Sequence, residues 1–304
     1  MGVFEGEYKN GVMIGRGKFT YPDKSTYVGE FRDQKITGRG IRTYLDKSNY
    51  DGEWKDGLRH GNGKMVFAEK SIYNGNWGND RMLGEGVLNF KNGDLYVGNF
   101  KNNKMHGHGK YAYITGAVYE GGYSQGKKWG IGKYIFRDGK QFYEGGWENN
   151  KMHGKGIRCY QDGSVYEGMF MENTRHGMGK IVFETENIVY QGEWRNDTMH
   201  GQGRVNVEDC DSVTVNTKWW QSNPLLSKKI KDVNVTFDEG SITKSVSVRR
   251  RRRVLRLQKN QYKKDQKATR NGNAAVPFSI DTKSVFSARD EVLSLASNLE
   301  NSSM

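Results

Sequence analysis

Residues 50–72 read Tyr50-Asp-Gly52-Glu-Trp54-Lys-Asp-Gly-Leu-Arg-His-Gly61-Asn-Gly63-Lys-Met65-Val-Phe67-Ala-Glu-Lys-Ser-Ile72. Tyr50, Gly52 and Trp54 alternate, so they point to one face of a strand. The polar stretch Lys55 to Arg59 must turn. Gly61, Gly63, Met65 and Phe67 then alternate in the same way. Two period-2 runs joined by a short polar loop predict a β-hairpin. A second turn leads to Tyr73, where the pattern starts again.

The block Tyr-x-Gly-x-aromatic recurs nine times within residues 1–207, mostly 23 residues apart. The units are 4–26, 27–49, 50–72, 73–95, 96–118, 119–142, 143–165, 166–189 and 190–207. Phe4 opens the first; Tyr27, Tyr50, Tyr73, Tyr96, Tyr119, Tyr143, Tyr166 and Tyr190 open the others. Such a period means a repeat architecture in which each unit touches only its neighbours. A catalytic site needs unlike residues converging, whereas this pattern repeats like ones. Asn92-Gly93, Asp138-Gly139 and Asp162-Gly163 stand between units. They are the dipeptides preferred where both turn residues need positive φ.

Of 40 glycines, only Gly240 and Gly272 follow residue 207. Gly is poor inside a strand except where another group must approach the backbone closely. Here the glycines share a face with the large rings, so a Tyr or Trp can lie over them. The expected ring ladder is Tyr27, Tyr50, Trp54, Tyr73, Trp77, Tyr96, Tyr119, Tyr143, Trp147, Tyr166, Tyr190 and Trp194. Each buried ring contributes roughly 1.5–3 kcal/mol, which gives a single-layer sheet a thin core.

These residues resemble the MORN-repeat family, whose unit is Tyr-x-Gly-x-Trp/Phe, a polar loop, Gly-x-Gly, an aromatic and Asp/Asn-Gly. Tyr73-Asn-Gly75-Asn-Trp77, Gly84-x-Gly86 and Phe90-Lys-Asn92-Gly93 match it throughout; so do Tyr143-Glu-Gly145-Gly-Trp147, Gly154-x-Gly156, Tyr160 and Asp162-Gly163. The sixth and eighth units carry one extra residue, at Lys140–Phe142 and Glu186–Val189, and the ninth ends in Val205 and Val207. The resemblance implies an all-β, elongated single-layer antiparallel ribbon of consecutive hairpins, roughly 85 Å long at about 4.8 Å per strand. Val205/Val207 and Val213/Val215 predict a last hairpin, with Trp219 and Trp220 folding over the open edge in a capping segment 208–240.

The remaining signals each have a plain reading. No apolar run approaches about 20 residues. The first repeat begins at Phe4, leaving no room for a signal peptide, and Gly6 stands where a myristoylation motif at Met1-Gly2 wants Ser or Thr. Cys159 and Cys210, the only cysteines, read as reduced cytosolic thiols. His60, His106, His153, His176 and His200 each precede a Gly-x-Gly, but equivalent positions lie roughly 10 Å apart, too far to share a metal. Gly130-x-Gly132 is followed by strand alternation rather than the helix a phosphate loop requires. No catalytic motif, cofactor, metal or small-molecule substrate is expected.

Charge is more informative. The chain carries a formal +13, and residues 208–304 hold 18 Lys and Arg against 11 Asp and Glu. Lys18, Lys64, Lys110, Lys133, Lys180 and Arg204 follow the second Gly, so this basic row faces away from the rings; Ile41, Val87 and Ile157 interrupt it. It suits an acidic protein or anionic lipid, or else keeps an exposed sheet soluble. The basic tail 241–304 contains Arg249, Arg250, Arg251, Arg252 and Arg253 in succession. Nuclear import, a membrane surface, nucleic acid and an acidic protein surface compete for it. Nucleic acid is disfavoured, because Tyr262 alone supplies an aromatic within the basic stretch 244–270. Within 288–300, Val292, Leu293, Leu295 and Leu299 fall on or near one helical face and predict a short docking helix.

The resulting expectation is a non-enzymatic scaffold that docks other proteins and forms homodimers through the ribbon ends if those edges stay open. The family resemblance implies a ciliary axoneme or other cytoskeletal assembly as its setting. The alternatives are a tether on anionic membranes and a nuclear factor.

Overall fold

The computed structural model describes residues 2–185, 187–207 and 213–216. Nineteen strands lie among them, and every pairing joins strands consecutive in sequence, always antiparallel. The result is one open sheet of hairpins. The last predicted hairpin is present: Thr198–Val207 pairs with Val213–Asn216, Val205 facing Val213. The rest of the capping segment, with Trp219 and Trp220, lies outside the described residues. So do Arg249–Arg253 and Val292, Leu293, Leu295 and Leu299.

The two turns of each repeat exchange the roles expected of them. The Asn-Gly and Asp-Gly dipeptides hold positive φ only at glycine: Gly93 (86°), Gly139 (67°) and Gly163 (84°). They close wider loops, in which Gly93 N–H donates to Phe90 O and Phe90 N–H to Asp94 O, both at 2.9 Å. This is a type I turn followed by one left-handed residue, a role Lys24, Lys47 and Lys70 fill elsewhere. The pairs needing two positive φ values sit inside the polar loop: Asp56/Gly57 (51°, 82°), Asn102/Asn103 (51°, 66°) and Asn149/Asn150 (50°, 68°). A two-residue loop must twist with its strands, and Asn, Asp and Gly tolerate that geometry best.

The two glycines of Gly-x-Gly have different duties. Gly52 pairs with Gly63, but Glu53 pairs with His60, so the hairpin bulges at Gly61 and Asn62. Gly61 takes φ +58° there, and Glu53 closes the bulge by accepting the Asn62 N–H at 2.9 Å. Gly63 stays extended and lies beneath a tyrosine. That tyrosine is Tyr50 of the same hairpin, not a ring from a neighbouring repeat; its ring tip covers both Gly52 and Gly63.

The core is the expected ladder. The eight opening tyrosines are at most 1% exposed. Each stands edge-to-face against the aromatic of its own repeat and, for all but Tyr190, of the next: Tyr50–Trp54 at 5.1 Å, Tyr50–Trp77 at 5.2 Å, Tyr73–Trp77 at 5.3 Å and Tyr73–Phe100 at 4.9 Å. The indole N–H groups tie repeats together. Trp54, Trp77, Trp147 and Trp194 donate to the carbonyls of Gly40, Gly63, Gly132 and Gly179 in the preceding repeat, at 2.9–3.2 Å. A second latch runs from the two-residue turns. Asp80, Asn103, Asn150, Asn173 and Asp197 accept the backbone N–H of Arg59, Met82, Lys128, Met152 and Arg175 in the preceding repeat.

The rings are not the whole core. Val87, Leu95, Val97, Ala112 and Val118 form a second buried cluster on the opposite face.

Candidate interaction surface

Each predicted site residue can now be placed. The ring ladder is buried and structural, so it is not itself a docking surface. The basic row does face away from the rings, yet half of it is paired. Lys18 meets Glu5 at 3.9 Å, Lys110 meets Glu120 at 3.5 Å and Lys133 meets Glu144 at 3.3 Å. Lys64, Lys180 and Arg204 are exposed and make no ion pair within 4 Å among the described residues. Strand pairing sets Lys64 opposite Asp51 and Lys180 opposite Glu167. The row is therefore a mixed-charge face rather than a continuous positive strip.

The histidines are not gathered. Among the described residues no three His, Cys, Asp or Glu side chains group to hold a metal ion. His153 Nε2 lies 3.5 Å from Glu148, while the Nδ1 atoms of His60, His106 and His176 are buried without a partner.

The surface that sequence reasoning missed is on the ring side. The closing aromatics Tyr21, Tyr44, Phe67, Phe90, Tyr113, Phe136, Tyr160 and Phe183 remain half-buried, forming a row of ring edges at the margin of the ladder. Five cations share that face. Arg42 stacks at 4.3 Å over Tyr21, Arg59 at 4.4 Å over Trp77, Arg158 at 4.9 Å over Tyr160 and Arg175 at 4.2 Å over Trp194. Lys128 Nζ lies within 5.4 Å of the ring centres of Tyr113, Tyr119, Tyr134 and Trp147. Their parity was readable, because Arg59 alternates with Gly61, Gly63 and Met65.

These cations divide by partner. Arg59 binds Asp80 at 2.9 Å and Arg175 binds Asp197 at 3.0 Å. Arg42, Lys128 and Arg158 make no ion pair within 4 Å among the described residues, and the Nε atoms of Arg42 and Arg158 are buried without an acceptor. Burial pulls the Lys128 ammonium down to about 8, the ring faces being a weaker substitute for water than a carboxylate. A face of half-buried rings with under-compensated cations suits a segment that brings both apolar side chains and carboxylates.

The MORN-repeat family model matches residues 4–26, 27–48, 50–71, 73–95, 96–118, 119–141, 143–165, 166–187 and 190–204. The chain belongs to the MORN-repeat family. Nine repeats are matched, in the register set by the tyrosines. No curated protein matches the sequence beyond this. Among solved structures, the TCP10 domain of Danio rerio CPAP, in complex with a peptide of Danio rerio STIL, is similar at 8% identity. It covers 71% of this chain and 99% of its own, with a TM-score of 0.38. The TCP domain of SAS-4 (dCPAP) from Drosophila melanogaster, in complex with a proline-rich motif of Ana2 (dSTIL), is 12% identical. It covers 59% of this chain and 89% of its own, with a TM-score of 0.33.

Proposed function

We propose that this MORN-repeat chain is a non-enzymatic scaffold whose ring face docks protein segments that carry both apolar side chains and carboxylates. The observation that carries the reading is the trio Arg42, Lys128 and Arg158, set among half-buried rings without a carboxylate partner. A partner carboxylate reaching these groups replaces water that burial has already removed, so each contact is charge-assisted. Repetition adds avidity, because a long segment engages several repeats at once. The setting proposed is a ciliary axoneme or another cytoskeletal assembly, as membership of the family suggests.

The competing reading is a peripheral tether on anionic phospholipid, using the basic row and Arg249–Arg253. The ion pairs of Lys18, Lys110 and Lys133 weigh against the row as a lipid-binding strip.

One experiment separates the two. Full-length tagged protein would be compared with the triple variant Arg42→Gln, Lys128→Met, Arg158→Gln and with the back-face variant Lys64→Glu, Lys180→Glu, Arg204→Glu. The expected result is retention in the detergent-insoluble cytoskeletal or axonemal fraction, lost in the ring-face variant and kept in the back-face variant. Flotation with phosphatidylserine vesicles in the absence of other proteins, abolished by the back-face variant, would overturn the scaffold reading.

A further inference from the structure

The reverse face of the ribbon carries a burial contrast that its strands do not explain. Val28 and Ile41 are 51% and 46% exposed, and Ile157 is 39% exposed. Val97 occupies the same repeat position as Val28, and Val87 the same position as Ile41 and Ile157. Yet Val97 is 9% exposed and Val87 0%. The side chains are alike, a lysine lies across the strand pair from both Val28 and Val97 (Lys18 and Lys110), and a one-layer ribbon places no strand of its own above either. The patch Val87, Leu95, Val97, Ala112 and Val118 is thus buried where its counterparts along the ribbon are exposed.

We propose that this patch is the seat of the chain's own segment 288–300, docked through Val292, Leu295 and Leu299. Three observations select that occupant. First, these residues recur at i, i+3 and i+7, the spacing of one helical stripe. Thirteen helical residues span about 20 Å, and four strands about 14 Å, so one short helix covers the patch. Second, charge fits. The segment has one Arg against Asp290, Glu291 and Glu300, whereas Lys110 and Lys133, each beside a glutamate with room for a second acceptor on its ammonium, flank the patch with side chains only 13% and 26% exposed. The apolar residues Val254, Leu255 and Leu257 lie among arginines and would be repelled there. Third, the reach fits. Residues 217–287 separate the last described strand from the segment, and random-coil statistics give a stretch of 71 residues a mean span of roughly 45 Å. The patch lies eight to eleven strands back along the ribbon, roughly 38–53 Å at about 4.8 Å per strand. A tether whose mean span matches the distance gives the highest effective concentration.

The inference concerns the reverse face and stands or falls apart from the ring-face reading. A zero-length carbodiimide cross-linker, applied to the full-length chain mixed from light and heavy isotope-labelled copies, tests it. The Lys110–Glu120 pair at 3.5 Å supplies an internal positive control. The expected product joins Lys110 or Lys133 to Asp290, Glu291 or Glu300 within one copy. Leu295→Asp with Leu299→Asp, which leaves the ribbon untouched, is expected to remove at least about 90% of it. Hydrogen exchange gives the second readout. A segment docked 99% of the time is protected about 100-fold across residues 292–299, and the double variant loses that protection. Cross-links found only between light and heavy copies would make a second chain the occupant and overturn the proposal. Unprotected amides at 292–299 without a cross-link would overturn it as well.

Discussion

Replacing Gly63 with alanine tests the central packing relation. A Cβ there would meet the Tyr50 hydroxyl, Cζ and Cε2, the last at 2.5 Å, where ordinary contact begins at 3.4 Å. Tyr50 must therefore retreat by roughly 1 Å, an over-packing cost of about 1–3 kcal/mol. It has little room, because Trp54 and Trp77 stand edge-on at 5.1 and 5.2 Å. Its single hydroxyl proton is shared between Glu53 O at 3.0 Å and His60 O at 3.3 Å; losing that bond adds about 1 kcal/mol. The sum is about 2–4 kcal/mol, centred on one repeat because units contact only their neighbours. Gly57→Ala is the control: φ is +82° and nothing lies within 4 Å of a Cβ, so only backbone strain of about 1 kcal/mol is incurred. The assay is amide exchange in the strands Asn49–Lys55 and Leu58–Val66. Gly63→Ala is expected to accelerate it by a factor of at least ~30, and Gly57→Ala by ~5. Equal acceleration by the two variants would refute the ring-on-glycine account.

Three further predictions follow from particular contacts. Tyr123→Phe is expected to stabilise the chain by about 1 kcal/mol in denaturant titration, since the Tyr123 hydroxyl is buried without a partner and Phe31, Phe100 and Phe170 serve at the same position. Asn103→Gly keeps the left-handed turn but removes the acceptor of the Met82 N–H at 2.7 Å; faster exchange at the fourth–fifth repeat boundary, by about 1 kcal/mol, is the expected readout. Burial holds the hydroxyls of Tyr50, Tyr73, Tyr96, Tyr119 and Tyr143 well above 10, and Tyr113 is pushed up to about 12. The unfolded chain then releases these protons first, so stability is fully present below pH 10 and falls as pH rises beyond it. Phenolate absorbance is expected to appear together with loss of the β-sheet circular dichroism signal. Gradual ionisation of a still-folded chain would count against the buried ladder.

The period and the ring parity were legible because each side chain's face follows from alternation alone. The sheet, its ladder and even the last hairpin came from counting residues. The turns were misread for a physical reason: Asn-Gly fits both a two-residue loop and the end of a wider one, and composition does not state which carbonyl closes it. The tight loops had their own signal in Asn102-Asn103 and Asn149-Asn150, pairs of residues that tolerate positive φ. The basic row was placed on the correct face, but its neutralisation depended on Glu5, Glu120 and Glu144 lying directly across the strand pairs, which requires register. Arg42 and Arg158 were overlooked because they stand where every other repeat carries an aliphatic or aromatic residue, such as Met65, Leu88 or Tyr111, and Lys128 because it stands where most repeats carry Met or Ile, so the departure from the repeat, rather than the repeat, held the information.

The fifth position of each unit also sets where the ribbon yields under load. Four of the eight joints are stitched by an indole donor; Phe31 and Phe170 each leave a single joint without that stitch, whereas Phe100 and Tyr123 leave two in succession near the middle. Pulled from its ends, the blade should part or flex there first. Those two joints lie beneath the Val87 cluster on the reverse side, so whatever rests on that cluster acts as a splint, and lifting it would turn a stiff strut into a hinged one.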